Sequence, residues 1–157
     1  MNLCQYEVKI VVVNFFRCRT DEISYVKDAI INVKGEEDLC SLDIGAIEKF
    51  LNNDDNWFYV ATIDEKVCGY AIAYRNQRVV DVNDMMCLYE IGTLKRYRRM
   101  GIGRRIINKI IDDGKLNKIM KIWIPTNISN KGACALYESI GAKGSDVKDD
   151  IIYTYRY

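Results

Sequence analysis

The clearest candidate for a functional site is the stretch RYRRMGIGRR, residues 96–105, where five arginines surround Gly101 and Gly103. An amphipathic helical pattern follows at once. Amides at a helix start are unpaired, and the helix dipole adds partial positive charge there. Without Cβ atoms at the two glycines a diphosphate can approach those amides, while the arginines add charged hydrogen bonds. The stretch therefore predicts a phosphate-binding loop, with a tight turn and solvated arginines as the alternative.

Known phosphate motifs do not match this stretch. The pattern G-x-x-x-x-G-K-[ST] is absent, and the dinucleotide fingerprint G-x-G-x-x-G would need glycine where Ile106 stands. A nucleic-acid patch would account for the arginines but not for the glycines. Because a bare G-x-G is a weak signal, the interpretation depends on the rest of the chain.

The titratable residues limit the chemistry further. The chain has no histidine, which excludes a histidine-based metal site and a Ser-His triad, so acid–base work falls to Glu, Asp, Tyr, Cys or Lys. Its six cysteines contain no C-x-x-C pair, so we expect no metal. We interpret them as reduced thiols that pack as small hydrophobic side chains. A nucleophilic Cys87 or Cys134 would lack a histidine to activate it.

Size and composition predict one globular domain over residues 1–157, because 157 residues with 49% apolar content can build one sizeable core. The formal charge is only +1, from 23 basic and 22 acidic residues, which disfavours a protein that coats nucleic acid. The start, MNLCQYEVKI, lacks a secretory signal, and KIVVVNFF is too short to cross a bilayer. We therefore expect a cytoplasmic protein.

The hydrophobic pattern predicts an α/β (α+β) domain of order β-α-α-β-β-β-α-β-α-β. Its middle part, strand–loop–helix–strand, is a crossover unit. Helices are expected to begin at Thr20, Ser41 (as a cap), Ile102 and Ser129 (as a cap), with glycines ending three of them at Gly35, Gly114 and Gly141. The predicted strands cover residues 6–13, 57–63, 67–74, 85–94, 118–124 and 151–157.

Two segments in this order resemble the signature motifs of the GNAT superfamily of acyl-CoA N-acyltransferases. They are R-x-x-G-x-G at Arg98–Gly103 and N-x-x-A-x-x-L-Y-E-S-x-G-A at Asn130–Ala142. The element order agrees as well, so the resemblance covers nearly the whole chain. It implies a mixed central sheet of about six to seven strands flanked by four helices. Together with DDIIYTYRY, these segments look most like the aminoglycoside 3-N-acetyltransferase-like branch.

The resemblance implies acetyl-CoA as the cofactor, with its pyrophosphate in the arginine–glycine loop. The backbone of Ile91 and Thr93 would bind the pantetheine arm like an added strand. Gly92 is consistent with a close approach of the cofactor, although a bulge explains a strand glycine equally well. The cofactor-binding residues expected on this basis are Ile91, Gly92, Thr93, Arg98, Arg99, Met100, Gly101, Ile102, Gly103, Arg104, Asn130 and Tyr137.

The implied reaction needs two proton movements, since an ammonium must lose a proton before it attacks and the leaving thiolate must gain one. Tyr137 matches the family's tyrosine near the sulfur and is the expected acid; a core aromatic is the alternative. Glu90, inside the apolar strand MMCLYEIGT, is the candidate base. A solvated glutamate, or one paired with a lysine, is the alternative. Relatives that acetylate protein N-termini carry a glutamate at the position of Pro125, so their mechanism does not transfer.

The implied acceptor is a small cationic amine, aminoglycoside- or polyamine-like, that receives the acetyl group by direct transfer. Such an acceptor needs acidic partners, and the sequence offers Asp81, Asp84, Glu90, Asp149 and Asp150. Because the family's terminal hairpin lies near the acceptor side, Asp149 and Asp150 are the preferred substrate-binding residues. A solvated turn is the alternative reading of that pair.

Other functions stay open at this point. The chain could be a non-catalytic CoA-binding or regulatory module, or an acetyltransferase of a protein or peptide amine. A nucleic-acid-binding protein is disfavoured by the net charge, and we expect neither nucleic acid nor a membrane as partner. The sequence does not decide whether the chain forms a homodimer.

Overall fold

The computed structural model describes residues 11–34 and 42–144. The chain divides into two compact units, residues 1–125 and 126–157, which are treated separately. Several sequence predictions fall outside the described residues. These are the strand at 151–157, most of the strand at 6–13, the helix end at Gly35, Ser41, and the pair Asp149 and Asp150.

The first unit is built on one five-stranded sheet with the strand order β1-β2-β3-β4-β5. The strands are β1 (Val13–Arg17), β2 (Asn56–Ile63), β3 (Lys66–Asn76), β4 (Asp84–Thr93) and β5 (Ile119–Trp123). The helices are α1 (Ile23–Asp28), α2 (Ile44–Leu51) and α3 (Ile102–Leu116), with short 3₁₀ turns at Thr20–Glu22 and Lys95–Tyr97 and a π-helical turn at Ala29–Lys34.

Strands β1 to β4 pair antiparallel, and β5 returns parallel to β4 after the α3 crossover. The predicted hairpin of β2 and β3 is confirmed. Its turn residues Asp64 and Glu65 have φ angles of 47° and 62°, as a type I′ turn requires. The predicted mixed α/β class is confirmed, although the described residues hold five strands and not six or seven.

The sheet separates two apolar layers. On one face, α1, the π-helical turn and α2 pack over a core that includes Phe58, Val60 and Tyr70. On the other face lies the isoleucine stripe of α3, with Ile106 and Ile110 at most 1% exposed. Because strand side chains alternate between faces, odd and even positions of β2 serve different layers.

Two predicted boundaries in the first unit are wrong. Among the described residues the first strand covers Val13–Arg17, so its predicted end at residue 13 is wrong, while residues 6–10 lie outside the described part of the chain. Helix α3 continues to Leu116 and does not end at Gly114. Gly114 is buried inside the helix, where an added Cβ atom would make only ordinary contact with Ile119 at 3.5 Å, and the helix continues through it.

Helix caps also differ from the prediction. Asp43 caps α2, because its side chain accepts a hydrogen bond of 2.8 Å from the Gly45 amide. In the second unit, α4 (Lys131–Ser139) is capped by Asn130, which accepts from the Ala133 amide at 3.1 Å, and not by Ser129. Gly141, with φ +84°, follows α4 as predicted. No helix within residues 11–34 and 42–144 has the length and apolar content to cross a membrane.

Candidate functional site

An open strand edge lies along the second half of β4. Pairing between β4 and β5 ends at Cys87 and Trp123, yet β4 continues to Thr93. Within the described part of the chain, residues 88–93 therefore have a strand neighbour only on the β3 side. Their outer edge offers backbone groups to an extended ligand.

The backbone groups of Ile91 and Thr93 point toward this open edge. The amide of Leu94 donates to the carbonyl of Cys68 at 2.9 Å, one step beyond the pair Gly69 and Thr93. Because backbone groups alternate in direction along a strand, Glu90 and Gly92 then point toward β3, and Ile91 and Thr93 point away from it. This is the orientation that the sequence prediction for Ile91 and Thr93 requires.

Gly92 has a packing reason in the structure. A Cβ atom there would lie 2.7 Å from Cε1 of Tyr70 and 3.3 Å from Cγ1 of Val33, on the face covered by the π-helical turn. Its backbone faces β3. The glycine is thus explained by the buried Tyr70 ring, and nothing at this position shows a contact with the open edge.

The arginine–glycine loop connects the open edge to the start of α3. Gly101 is the N-cap of α3 with φ +76°, and the first intrahelical bond runs from the Arg105 amide to the Gly101 carbonyl at 3.0 Å. The amides of Ile102, Gly103 and Arg104 therefore precede the helical hydrogen-bond ladder. A Cβ atom added at Gly101 would meet nothing within 4 Å, so the space beside the helix start is open.

The five arginines of the loop divide into two groups. The guanidinium groups of Arg96 and Arg105 stack on the rings of Tyr97 and Phe15, with distances of 4.9 and 4.3 Å to the ring centroids. The exposed residues Arg98, Arg99 and Arg104 surround Gly101 in sequence. These three remain the candidates for phosphate binding; Arg98 also donates from Nε to the Thr93 carbonyl at 3.2 Å.

A β-bulge shapes the strand where the open edge begins. Ile72 lies opposite Glu90 and Ala73 opposite Leu88, so Tyr89 is the extra residue of β4. Tyr89 is 61% exposed, and its ring packs edge-on against Tyr74 at 5.5 Å. Bulges commonly redirect side chains beside active sites. Here the bulge places an exposed phenol next to Glu90.

Glu90 is engaged by two residues that sequence reasoning missed. Its Oε1 accepts a hydrogen bond from the hydroxyl of Tyr70, and its Oε2 lies 3.6 Å from Nζ of Lys34. The lysine-paired alternative considered from the sequence is therefore present. Lys34 lies 56 positions earlier in the chain, and no local sequence signal connects the two.

The acidic residues before β4 are bound to arginines. Asp84 receives hydrogen bonds from Nε of Arg75 at 2.6 Å and from the amide of Arg78 at 3.1 Å. These bonds, the Arg75 bond foremost, hold the pKa of Asp84 below its ordinary value. Asp81 pairs with the Arg78 guanidinium at 3.1 Å. Both carboxylates thus have partners that suit a structural role.

The second unit holds the other two candidate residues, Asn130 and Tyr137. The Asn130 side-chain oxygen is used as the α4 cap. Partial burial, with a smaller contribution from Cys134, raises the pKa of Tyr137 above its ordinary value. The phenol is therefore protonated at neutral pH, as its ordinary pKa of about 10 already ensures, and the upward shift makes it a weaker acid. Within the described residues, no group of three or more metal-ligating side chains occurs.

Comparison with known proteins identifies the family. The profile of the Acetyltransferase (GNAT) family matches residues 28–142. The [ribosomal protein bS18]-alanine N-acetyltransferase of Escherichia coli K12 is 31% identical over 101 residues, 64% of this chain and 60% of that protein. The same enzyme of Salmonella typhimurium is 28% identical over 87 residues, and this chain spans 55% of its length.

Two solved structures share the fold. An aminoglycoside acetyltransferase from an uncultured soil metagenomic sample, in complex with trehalose, has a TM-score of 0.78 at 15% identity, covering 92% of this chain and 97% of that chain. An aminoglycoside N-acetyltransferase in complex with CoA has a TM-score of 0.75 at 16% identity, covering 96% and 97%. At such identities the likeness concerns the fold.

Proposed function

This chain belongs to the Acetyltransferase (GNAT) family, and from that premise we propose that it is an acetyl-CoA-dependent N-acetyltransferase of a small cationic amine. The observation that carries the proposal is the continuous path formed by the open edge of β4 and the exposed start of α3. That path offers backbone bonds to an extended arm and unpaired amides to a diphosphate.

The residues present fit acetyl-CoA. The backbone of Ile91 and Thr93 would hold the pantetheine arm, and the loop from Arg98 to Arg104 would hold the pyrophosphate. The open space at Gly101 supports this assignment, because the backbone there can be approached without a clash. When bound, acetyl-CoA supplies an acetyl thioester, which is a reactive acyl donor.

The protein's part in the reaction is to move two protons. Glu90 would take a proton from the acceptor's ammonium, directly or through water, which would free the nitrogen lone pair to receive the acetyl group. Tyr137 gives its proton to the departing thiolate sulfur. The role of Tyr137 rests on its match to the family motif L-Y-E-S-x-G.

A cationic acceptor is supported by the surroundings of Glu90. The carboxylate is 27% exposed, so a small solute can reach it. The exposed ring of Tyr89 lies next to it in sequence and could cover an ammonium group through a cation–π contact. Asp149 and Asp150, outside the described residues, remain the proposed further partners of the acceptor.

A second acceptor class is favoured by one comparison. The E. coli relative, at 31% identity, is named as an N-acetyltransferase of an alanine of ribosomal protein bS18. A peptide N-terminal amine is therefore the alternative acceptor. Pro125 counts against it, since that position would carry the glutamate expected of such enzymes.

One experiment separates these possibilities. Purified protein is incubated with acetyl-CoA and a panel of amines, and the release of free CoA thiol is measured. The panel contains an aminoglycoside, spermidine, an alanine-initiated peptide and a neutral aryl amine. We expect release with the first two. Binding of acetyl-CoA without release from any amine would contradict catalysis and indicate a CoA-binding module.

A further inference from the structure

The ion pair of Lys34 and Glu90 occupies the carboxylate that the proposed acceptor needs. Lys34 Nζ lies 3.6 Å from Oε2 of Glu90, and the Tyr70 hydroxyl donates to Oε1. The chain therefore already supplies a primary ammonium group at the position where an acceptor amine would bind. The chemical group is the same one that the acceptor presents.

The two partners of Glu90 differ in how easily they can be replaced. Tyr70 is 1% exposed and lies in the core against Phe58, so its bond to Glu90 is fixed by packing. The side chains of Lys34 and Glu90 are 35% and 27% exposed, so solvent and small solutes reach their pair. The Lys34 contact is also longer than the 2.5 Å contact of Arg75 with Asp84.

The negative charge of Glu90 explains why a lysine occupies the position beside it. Glu90 lies in a largely apolar strand, and a carboxylate in such a place is costly unless a cation or hydrogen-bond donors engage it. When an ammonium group replaces Lys34, the carboxylate exchanges one cation for another and is never left unpaired. A flexible lysine stem allows the displaced ammonium to move into solvent.

We propose that Lys34 is an internal competitor for the acceptor, holding the position at Glu90 that the acceptor's ammonium takes on binding. This inference rests on the proposed function, because it assigns Glu90 to the acceptor site. It has a consequence for specificity. The displaced Lys34 stays near the site and repels further positive charge, so it penalises acceptors with several ammonium groups more than acceptors with one.

The test is a binding titration without acetyl-CoA. Butylamine, with one ammonium, and spermidine, with several, are titrated into the protein, and NMR shifts of the backbone amides of residues 88–93 report binding. Lys34→Gln should lower the dissociation constant about 2–5-fold for butylamine, the scale of an exposed ion pair, and by a larger factor for spermidine. Lys34→Arg, which keeps the cation, should retain the wild-type values.

A matched control changes the same charge elsewhere. Lys66→Gln, at the exposed first residue of β3, should leave both dissociation constants unchanged. Glu90→Gln should weaken both amines. Circular dichroism checks that each variant is folded.

Two results would overturn the proposal. If Lys34→Gln binds the amines as wild type does or more weakly, Lys34 orients Glu90 and does not compete. If Glu90→Gln binds as wild type does, the acceptor site lies elsewhere. Failure of the proposed function is distinguishable from both, since it would appear as absent thiol release while the titration still gave tighter binding to Lys34→Gln.

Discussion

At the scale of single residues, the proposed reaction depends on side chains whose hydrogen-bond and ion-pair partners the structure shows. Glu90 is bound by Tyr70 and Lys34, and this arrangement fixes the carboxylate while leaving part of it exposed to solvent. A base in this setting acts on an amine that reaches it from solvent. The assignment of Glu90 can therefore be tested by its dependence on pH.

Replacing Glu90 by Gln should reduce turnover about 10²–10⁴-fold at neutral pH, the usual contribution of a general base. The loss should diminish as the pH rises, because alkali deprotonates the amine without help. The measurement is kcat against pH for the best amine of the panel. Glu65→Gln, in the exposed β2–β3 turn, is the matched control. A deficit of equal size at every pH would point to a structural role.

Replacing Tyr137 by Phe should lower kcat while leaving the dissociation constant of acetyl-CoA unchanged, because the hydroxyl matters only as the thiolate leaves. The expected loss is about 10²–10⁴-fold. Burial raises the pKa of Tyr137, so the donor stays protonated through neutral pH and the loss should be constant there. Turnover equal to that of wild type would remove Tyr137 from the mechanism.

At the scale of elements, the turn into α3 can be tested against a second glycine of like conformation. Gly101 and Gly141 have φ angles of 76° and 84°, and an added Cβ would meet nothing within 4 Å at either. Gly101→Ala and Gly141→Ala should thus cost a similar backbone strain, about 1–2 kcal/mol of unfolding free energy. Only Gly101→Ala should also weaken acetyl-CoA binding, measured by calorimetry. Equal affinities in both variants would contradict the loop assignment.

The loop's arginines allow a charge-matched comparison. Arg98→Ala should weaken acetyl-CoA binding by about 1–3 kcal/mol, the scale of a charged hydrogen bond. Arg96→Ala removes the same charge from the same loop, but its guanidinium stacks on Tyr97. The affinity of the Arg96 variant should stay near that of wild type. If both variants lose affinity equally, acetyl-CoA binding responds to the overall positive charge of the loop and not to a specific contact of Arg98.

The ion pair between β3 and β4 should make stability depend on pH. Arg75 holds the pKa of Asp84 below its ordinary value, so the carboxylate stabilises the fold fully above the unfolded pKa of about 4 and loses this effect as pH falls through the folded pKa. Asp84→Asn should unfold at lower urea concentration than wild type at pH 7, and the gap should close in acid. Asp112→Asn, at an exposed pair with Lys115, should show no such gap.

Local patterns predicted most of the elements, and the failures have identifiable physical causes. The isoleucine stripe of α3 and the β2–β3 turn are local signals, and both predictions are confirmed. The first strand was predicted to end at residue 13 although strand-forming residues continue through NFFR, and pairing with β2 extends it to Arg17. Gly114 was interpreted as a terminator, but a glycine within a helical pattern is not by itself an end signal, and α3 continues through it to Leu116.

The residues of the candidate site also fall into those that the sequence could predict and those that only the folded structure brings together. The arginine–glycine loop is contiguous in sequence, so its residues could be proposed together. The open edge of β4 could not be seen in the sequence, because it depends on where pairing with β5 ends. The partners of Glu90 come from the π-helical turn and from β3, and only the folded sheet brings them together.

At the scale of the whole molecule, the net charge is close to zero. Electrostatic effects on binding therefore arise from charged groups near the site and not from the overall field of the protein. With a formal charge of +1, the chain has no strong net field to attract cations or anions from a distance. Any salt dependence of acceptor binding must therefore come from groups near the site. Screening acts over about 10 Å at 0.1 M salt, so such local effects remain measurable.

The dependence of acceptor binding on salt concentration tests the proposed acidic residues of the acceptor site. For an aminoglycoside or spermidine, KM should rise with ionic strength, because several ammonium groups meet carboxylates in the site. Asp149→Asn combined with Asp150→Asn should raise KM further and flatten its salt dependence, while acetyl-CoA affinity stays unchanged. Both are measured by thiol release between about 0.05 and 0.5 M salt. If an alanine-initiated peptide is acetylated well and the polycationic amines are not, the acceptor is a peptide N-terminus, and the acidic pocket is refuted while the acetyltransferase assignment stands.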